Sequence, residues 1–259
     1  MTPLRRSRAS GPTRVGLLLV AVAATACTST ARPAAPPSTP SGGGASPAPT
    51  TSATTSPSRA PAPGTAAAAL AGLAVKGRAP RTGYDREQFG PAWTDDNDAA
   101  DGRNGCDTRN DVLARDLSGD VLKPGTRDCV VLAGTLRDPY TGRVIAFRRG
   151  VTTSAAVQID HVVALSNAWQ TGAQQLTPRE RRTLANDPLE LLAVDGPVNQ
   201  AKGDGDAATW LPPNRAYRCA YVARQIAVKR SYRLWVTPAE RDAMRRVLAS
   251  CPAQPLPTG

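Results

Sequence analysis

Residues 157–206 read VQIDHVVALSNAWQTGAQQLTPRERRTLANDPLELLAVDGPVNQAKGDGD, and this stretch decides the fold. VQIDHVVAL (157–165) is short, apolar and β-branched, so it reads as a strand that bends into SNAWQTG. Thr177-Pro178-Arg179-Glu180 has a threonine N-cap, a proline at the first helical position and a glutamate three residues past the cap. That capping box predicts a helix to about Ala185. Leu189 to Val194 is a second short apolar strand, and residues 195–202 begin another helix, with Pro197 tolerated in its first turn. The first strand carries Asp160 and His161, and His161 is the only histidine of 259 residues. The second helix carries Asn199 and Lys202.

These side chains suit one kind of chemistry. Hydrolysis of a phosphodiester needs an activated water, a cation against the scissile phosphate and stabilisation of the leaving oxygen. A neutral imidazole is the best base near pH 7, and a hard divalent cation takes carboxylate and amide oxygens while keeping several waters. His161 is the candidate base, Asp160 and Asn199 are candidate metal ligands, and Lys202 is a candidate contact to the phosphate or leaving group. Each has a plainer reading: a structural histidine, a helix cap, a solvated lysine. Asp204 and Asp206 in KGDGD read as an outer metal shell or as a turn ending the helix. Trp169 and Trp210 read as core residues rather than platforms for bases, and Glu180 is explained by its capping box.

On the N-terminal side, Asp107 is a good N-cap for a helix through Val112, Leu113 and Leu117. CVVLAGTL (129–136) and RVIAFRRG (143–150) are strands joined by the turn DPYTG, which makes a hairpin. Residues 84–103 hold turn formers and acids with weak periodicity. On the C-terminal side, residues 214–230 carry apolar positions 219, 222, 223 and 226, an amphipathic helix. Thr237-Pro238-Ala239-Glu240 is a second capping box, whose helix ends before Cys251. The expected class is α+β: a strand–strand–helix core with added helices and an N-terminal hairpin.

The first 80 residues are of another character. Arg5, Arg6, Arg8 and Arg14 precede a short apolar run, Val15 to Ala24, and then AATAC ending at Cys27. This is the layout of an export signal, and a small-residue run ending at cysteine marks Cys27 as a candidate lipidation site. Ala24 stands where leucine is usual in such signals, so ordinary signal cleavage is the alternative. Residues 28–80 are almost wholly Ala, Pro, Ser, Thr and Gly, too few large apolar side chains to offset ordering entropy, and they read as a disordered tether. The expected layout is 1–27 signal, 28–80 linker, 81–255 domain, with the product exported by a bacterium and held at its surface by lipid.

The net charge of +11 does not by itself argue for nucleic acid, because eight basic residues and no acid lie in the first 80 positions, leaving +3 for the rest. Within the domain the charge is polarised, with nine bases against two acids over 215–246. A segregated basic region attracts a polyanion. Arg224, Lys229, Arg230 and Arg233 are therefore candidate phosphate contacts, competing with the reading of a solvated helix face. Setting Cys27 aside, Cys106, Cys129, Cys219 and Cys251 form an even set in an exported domain, which argues for two disulfides. Of three pairings, Cys106–Cys129 and Cys219–Cys251 close the shortest loops. A zinc site is disfavoured, since no CxxC spacing exists.

Asp160-His161-Val162-Val163, Leu191-Leu192-Ala193-Val194, Asn199-Gln200-Ala201-Lys202-Gly203-Asp204 and AATWLPP (207–213) together resemble the HNH, or ββα-metal, nuclease superfamily. More closely they resemble secreted HNH-family proteins of actinobacteria, related to the C-terminal domain of GmrSD-type restriction endonucleases. NGCDTRNDVLARDL and DPYTG also look like that branch, so the likeness covers residues 84–251. The resemblance implies that His161 is the general base and that Asp160 and Asn199 hold one Mg2+ or Mn2+ ion. It implies a metal-dependent endonuclease on DNA, with RNA as a further substrate; since the sequence shows no separate reading module, little sequence specificity is expected, as is a monomer. One position departs from the pattern: Glu190 stands where the superfamily has its middle asparagine, which orients the backbone around the site. Either Glu190 substitutes as an acceptor or Asn186 takes the role. The departure also keeps open a non-catalytic nucleic-acid or cell-wall binding protein on a degenerate scaffold.

Overall fold

The computed structural model describes residues 61–258. The export signal, Cys27 and the linker up to residue 60 lie outside the described residues. Residues 61–80 do not continue the expected linker. Helix α1 (Ala66–Ala71) is capped by the Thr65 hydroxyl and buries Ala66 and Leu70. Beyond it Val75 bridges Val236, and Arg78 reaches Asp206 at 2.7 Å. Alanine loses little side-chain entropy on ordering, so one leucine in an alanine run is enough to seat a short helix against a neighbouring apolar face.

Helix α2 (Thr108–Asp116) starts at the predicted cap, Asp107, whose carboxylate accepts the amide of Asn110. The chain then turns straight into strand β1 (Leu117–Leu122), where only the end of the helix was expected. β1 pairs with β2 (Val131–Arg137), which pairs with β3 (Val144–Arg148), giving an antiparallel three-stranded sheet rather than a lone hairpin. The sequence LSGDVL hides β1 because its ladder is irregular: Gly119 has φ +60° and the register shifts on either side of Val121.

Strand β4 (Val157–His161) leads into helix α3 (Leu165–Gln170), formed where only a bend was read, and then helix α4 (Pro178–Asn186) behind its full capping box. Strand β5 (Leu191–Asp195) pairs antiparallel with β4, placing His161 opposite Leu191 and Val157 opposite Asp195. Asp195 then caps helix α5 (Gly196–Lys202), accepting from the Val198 amide at 3.0 Å. Residue 196 must be glycine, since a Cβ there would lie 2.0 Å from the carbonyl oxygen of Ala155. Helices α6 (Arg218–Ser231) and α7 (Pro238–Leu248) complete the fold, α7 behind the second capping box.

The β4–β5 ribbon lies between two apolar clusters. Val157, Ile159, Leu191 and Ala193 pack on one side with Val112, Val131 and Phe147. Leu192 and Val194 pack on the other with Tyr221, Val222 and Ile226 of α6. This period-2 alternation, buried on both faces, is why β5 reads as a continuous apolar run. Cys106–Cys129 and Cys219–Cys251 are both disulfides, the pairing with the shortest loops. No helix among the described residues is long and apolar enough to cross a membrane. The class is α+β, as expected, with a strand–strand–helix unit (β4, β5, α5) at its centre.

Candidate active site

The alternation of β4 determines which way each polar residue faces. Val157 and Ile159 enter the cluster under α2, so Gln158 and Asp160 face α5. There Lys202 donates to Asp160 Oδ1 at 2.8 Å and to the carbonyl of His161 at 2.7 Å. The Tyr140 hydroxyl, from the DPYTG turn, donates to Asp160 Oδ2. The Lys202 side chain is fully buried and that of Asp160 is 6% exposed. Burial, with the adjacent Asp160 carboxylate, pushes the Tyr140 phenol well above its ordinary range, so it stays a donor at any working pH. One turn earlier on α5, Asn199 Nδ2 donates to Gln158 Oε1 at 3.0 Å. Its side-chain amide oxygen accepts no hydrogen bond among the described residues.

His161 lies across the ribbon from this ion pair. Its Nε2 is 3.0 Å from the carbonyl oxygen of Ala185, at the end of α4. A carbonyl only accepts, so Nε2 carries the hydrogen and Nδ1 is left as the bare acceptor of a neutral ring. Burial is the main cause that holds this imidazole down to about 3, with the Arg86 and Lys202 charges acting the same way. The Trp93 indole lies nearly parallel to the imidazole, 17° off, with ring centres 5.6 Å apart. Trp93 has φ +57°, a conformation that costs a bulky residue energy and is held here by its surroundings.

Two cavities of about 650 and 670 Å³ meet at His161, Arg86, Trp93 and Leu165. The first is polar and brings together Asp160, Asn199, Gln158, Asp204 and Arg109. The second is walled by Phe89, Pro91, Ala92 and Leu165, with Asn186 at its edge. The turn that follows His161 is pinned by Glu190, whose carbonyl accepts from Val162 at 2.9 Å and whose Oε2 accepts from Val163 at 3.2 Å. Glu190 thus holds the backbone around the site, while Asn186 donates to the carbonyl of Arg182 and leaves its buried oxygen unbonded beside the cavity. Glu190 is completely buried, and that burial raises its carboxyl well above the ordinary glutamate value.

Several expected site residues have other employment. Lys202 cannot touch a phosphate from its buried position and acts on Asp160 instead. Arg224 donates to the carbonyls of Pro188, Leu189 and Leu191, clamping the turn before β5. Lys229 is fully buried against Glu240 at 2.9 Å, and Arg233 pairs with Glu180. Arg230 is exposed, but it borders a cavity with Gly64 and Thr65 rather than either cavity at His161. Asp206 is turned inward, capping the amide of Ala208 and holding Arg78. Trp169 belongs to the core and Trp210 packs against it. Residues not anticipated are Tyr140, Trp93, Arg86 and Arg109. The DPYTG turn held the one available signal, a tyrosine in a turn, and nothing in DREQFGPAW or DTRN set the others apart. Among the described residues no group of three or more His, Cys, Asp or Glu gathers as a metal site.

A protein described as an uncharacterized secreted protein, from Arthroderma benhamiae, is 39% identical to this chain over 197 residues, covering 75% of this chain and 89% of its own. That organism is a fungus, and the actinobacterial origin expected from the resemblance finds no support. No solved structure matches the chain. Residues 107–247, from the cap of α2 to the last turn of α7 and including the whole β4–β5–α5 unit, match the model of the family described as GmrSD restriction endonucleases, C-terminal domain. The chain belongs to that family.

Proposed function

We propose that the protein is an exported metal-dependent endonuclease of the HNH type, which hydrolyses phosphodiester bonds of DNA or RNA with little sequence specificity. The observation that carries this reading is the bare Nδ1 of a neutral His161 at a cavity that also holds Asp160 and Asn199. The family's description supports a nuclease, and the relative's description as secreted, with two disulfides in this chain, supports export. Lipid attachment at Cys27 and a monomeric state belong to the same proposal.

The donor set fits one hard divalent cation, Mg2+ or Mn2+. The groups are oxygens: a carboxylate whose two atoms each hold one hydrogen bond and keep a further lone pair, and the unpartnered amide oxygen of Asn199. Two protein oxygens with water completing the shell is the habit of Mg2+ and not of a closed zinc site. Asp160 and Asn199 would hold the ion, which when bound supplies positive charge against the phosphate and the leaving 3′ oxygen.

The chain's own groups do the rest. His161 Nδ1 takes a proton from the attacking water, and the Ala185 carbonyl keeps the other ring hydrogen in place so that Nδ1 alone is basic. Lys202 and Tyr140 fix the Asp160 carboxylate. Glu190 fixes the two amides after His161. The low basicity of His161 keeps it unprotonated at neutral pH and down into the acid range.

A second reading, a non-catalytic nucleic-acid binding protein, is favoured by one feature. His161 is only 7% exposed and lies under Trp93. Titration with Mn2+ followed by labelled DNA and RNA oligonucleotides separates the two. The nuclease reading expects strand scission that depends on the ion and is lost in Asn199→Ala. Retention of oligonucleotide with no scission at any ion concentration favours the binder.

A further inference from the structure

Arg109 is half-buried on the wall of the polar cavity and has neither an ion pair nor a side-chain hydrogen bond among the described residues. Its charged neighbours are another guanidinium, Arg149, itself committed to the Val131 carbonyl and to Asn110, and the Asp107 carboxylate, which caps α2 and makes no ion pair with it. Burial lowers the Arg109 guanidinium's affinity for its proton, Arg149 adds to the effect, and Asp107 opposes it. A partly desolvated cation with no ion pair or hydrogen bond is a costly arrangement. Arg86, on the four-residue seam where both cavities meet, is likewise without a protein partner among the described residues. The acids of the polar cavity do not answer these charges: Asp160 is committed to Lys202 and Tyr140, and Asp204 lies 3.5 Å from Arg81.

Beside the seam is a mainly apolar hollow with an aromatic wall, of a size to admit a nucleobase, with Asp85 and Glu87 also in its lining. A polar cavity with two free guanidiniums next to an apolar one, joined at the candidate base, matches one nucleotide with its phosphate on one side and its base on the other. Stacking on an aromatic ring is how unpaired bases are held without reading sequence. Base-paired nucleotides keep their faces stacked in the duplex and cannot enter such a hollow without unstacking. His161 is recessed between the two cavities, which a flexible strand reaches more readily than a stiff duplex does.

We propose that these paired cavities are a subsite for an unpaired nucleotide, with Arg109 and Arg86 holding its phosphates and Phe89 and Trp93 facing its base. This rests on the nuclease reading for its substrate but not for its test. The substrate class is then single-stranded or locally unpaired nucleic acid.

The test is fluorescence anisotropy of the full-length, disulfide-bonded protein in EDTA with a labelled 12-nucleotide strand and with the same strand in a blunt duplex. The strand is expected to bind at least about tenfold tighter than the duplex. Arg109→Gln and Arg86→Gln are each expected to weaken strand binding about tenfold and to reduce the salt slope by roughly 0.7, the value for one phosphate contact on a single strand. Arg86 is exposed, so its variant reports even where Arg109→Gln alters folding. Equal or tighter duplex binding, or unchanged binding in the Arg86 variant, overturns the subsite. Cleavage is scored separately with Mg2+. Strand preference in binding without scission removes the nuclease reading and leaves the subsite, whereas scission with no strand preference does the reverse.

Discussion

Replacing Lys202 by methionine removes the one cation that Asp160 holds among the described residues. The lysine is fully buried, the carboxylate 6% exposed, and the same ammonium also satisfies the carbonyl of His161. Lys202→Met leaves the carboxylate with Tyr140 alone and that carbonyl with nothing. Removing one partner of a buried pair costs about 3–5 kcal/mol, because the remaining charge is uncompensated. For a domain of this size that is a fall in Tm of roughly 6–20 °C. Asp160→Asn added to Lys202→Met removes the stranded charge, so the double variant recovers much of the loss and stays short of wild type by about 1–2 kcal/mol. The two changes are therefore strongly non-additive, with the double variant about 2–3 kcal/mol more stable than Lys202→Met alone. Urea unfolding in EDTA, with the disulfides intact, measures all four corners of the cycle. A loss below about 1 kcal/mol for Lys202→Met, or additive single changes, would refute the assignment of Lys202 as the internal counter-ion and return it to the readings made from the sequence, a contact to the phosphate or leaving group or a solvated lysine.

Three further outcomes follow from the same geometry. Glu190 has a carboxyl raised by burial, with Lys202, Asp160, Asp187 and Tyr221 as the charged or titratable groups acting on it. Its contribution to stability is complete below the ordinary glutamate value near 4.5 and is lost as pH rises through the raised value, so Glu190→Gln is expected to gain on wild type progressively above pH 5 in pH-dependent urea melts. A constant difference across pH would contradict this. Trp93→Ala uncovers the imidazole, and the single histidine resonance of the chain is expected to titrate well above its wild-type value of about 3 in a proton NMR titration; an unmoved titration would show that Trp93 does not desolvate the ring. Arg224→Ala removes three hydrogen bonds to the turn before β5, so it is expected to lower stability by about 2–4 kcal/mol while leaving the salt dependence of nucleic-acid binding unchanged. A reduced salt slope would restore Arg224 as a phosphate contact.

The strand–strand–helix unit was legible because its signals are local. The apolar run of β5, the Asp195 cap and Pro197 in the first turn of α5 need no knowledge of the rest of the chain. Both capping boxes and both disulfides were legible for the same reason. The contacts that complete the site were not, because they come from distant segments. Tyr140 and Asp160 are 20 residues apart, and Trp93 reaches His161 from a loop with no periodicity. The basic run of α6 misled because charge in sequence does not say which side of a helix is covered. α6 is central, with Tyr221, Val222, Gln225, Ile226, Val228 and Lys229 all buried, so Arg224 and Lys229 became internal partners. Helix α1 was hidden by alanine, which offers no apolar pattern, and β1 by its irregular ladder.

The most direct measurement is relaxation of supercoiled plasmid by the full-length, disulfide-bonded protein with Mg2+, with Mn2+ and with EDTA, beside His161→Ala. The account predicts nicking that requires the ion and disappears in the variant, while the variant keeps its fold. Nicking that survives in His161→Ala, or in EDTA, would contradict a mechanism built on that imidazole and one divalent cation.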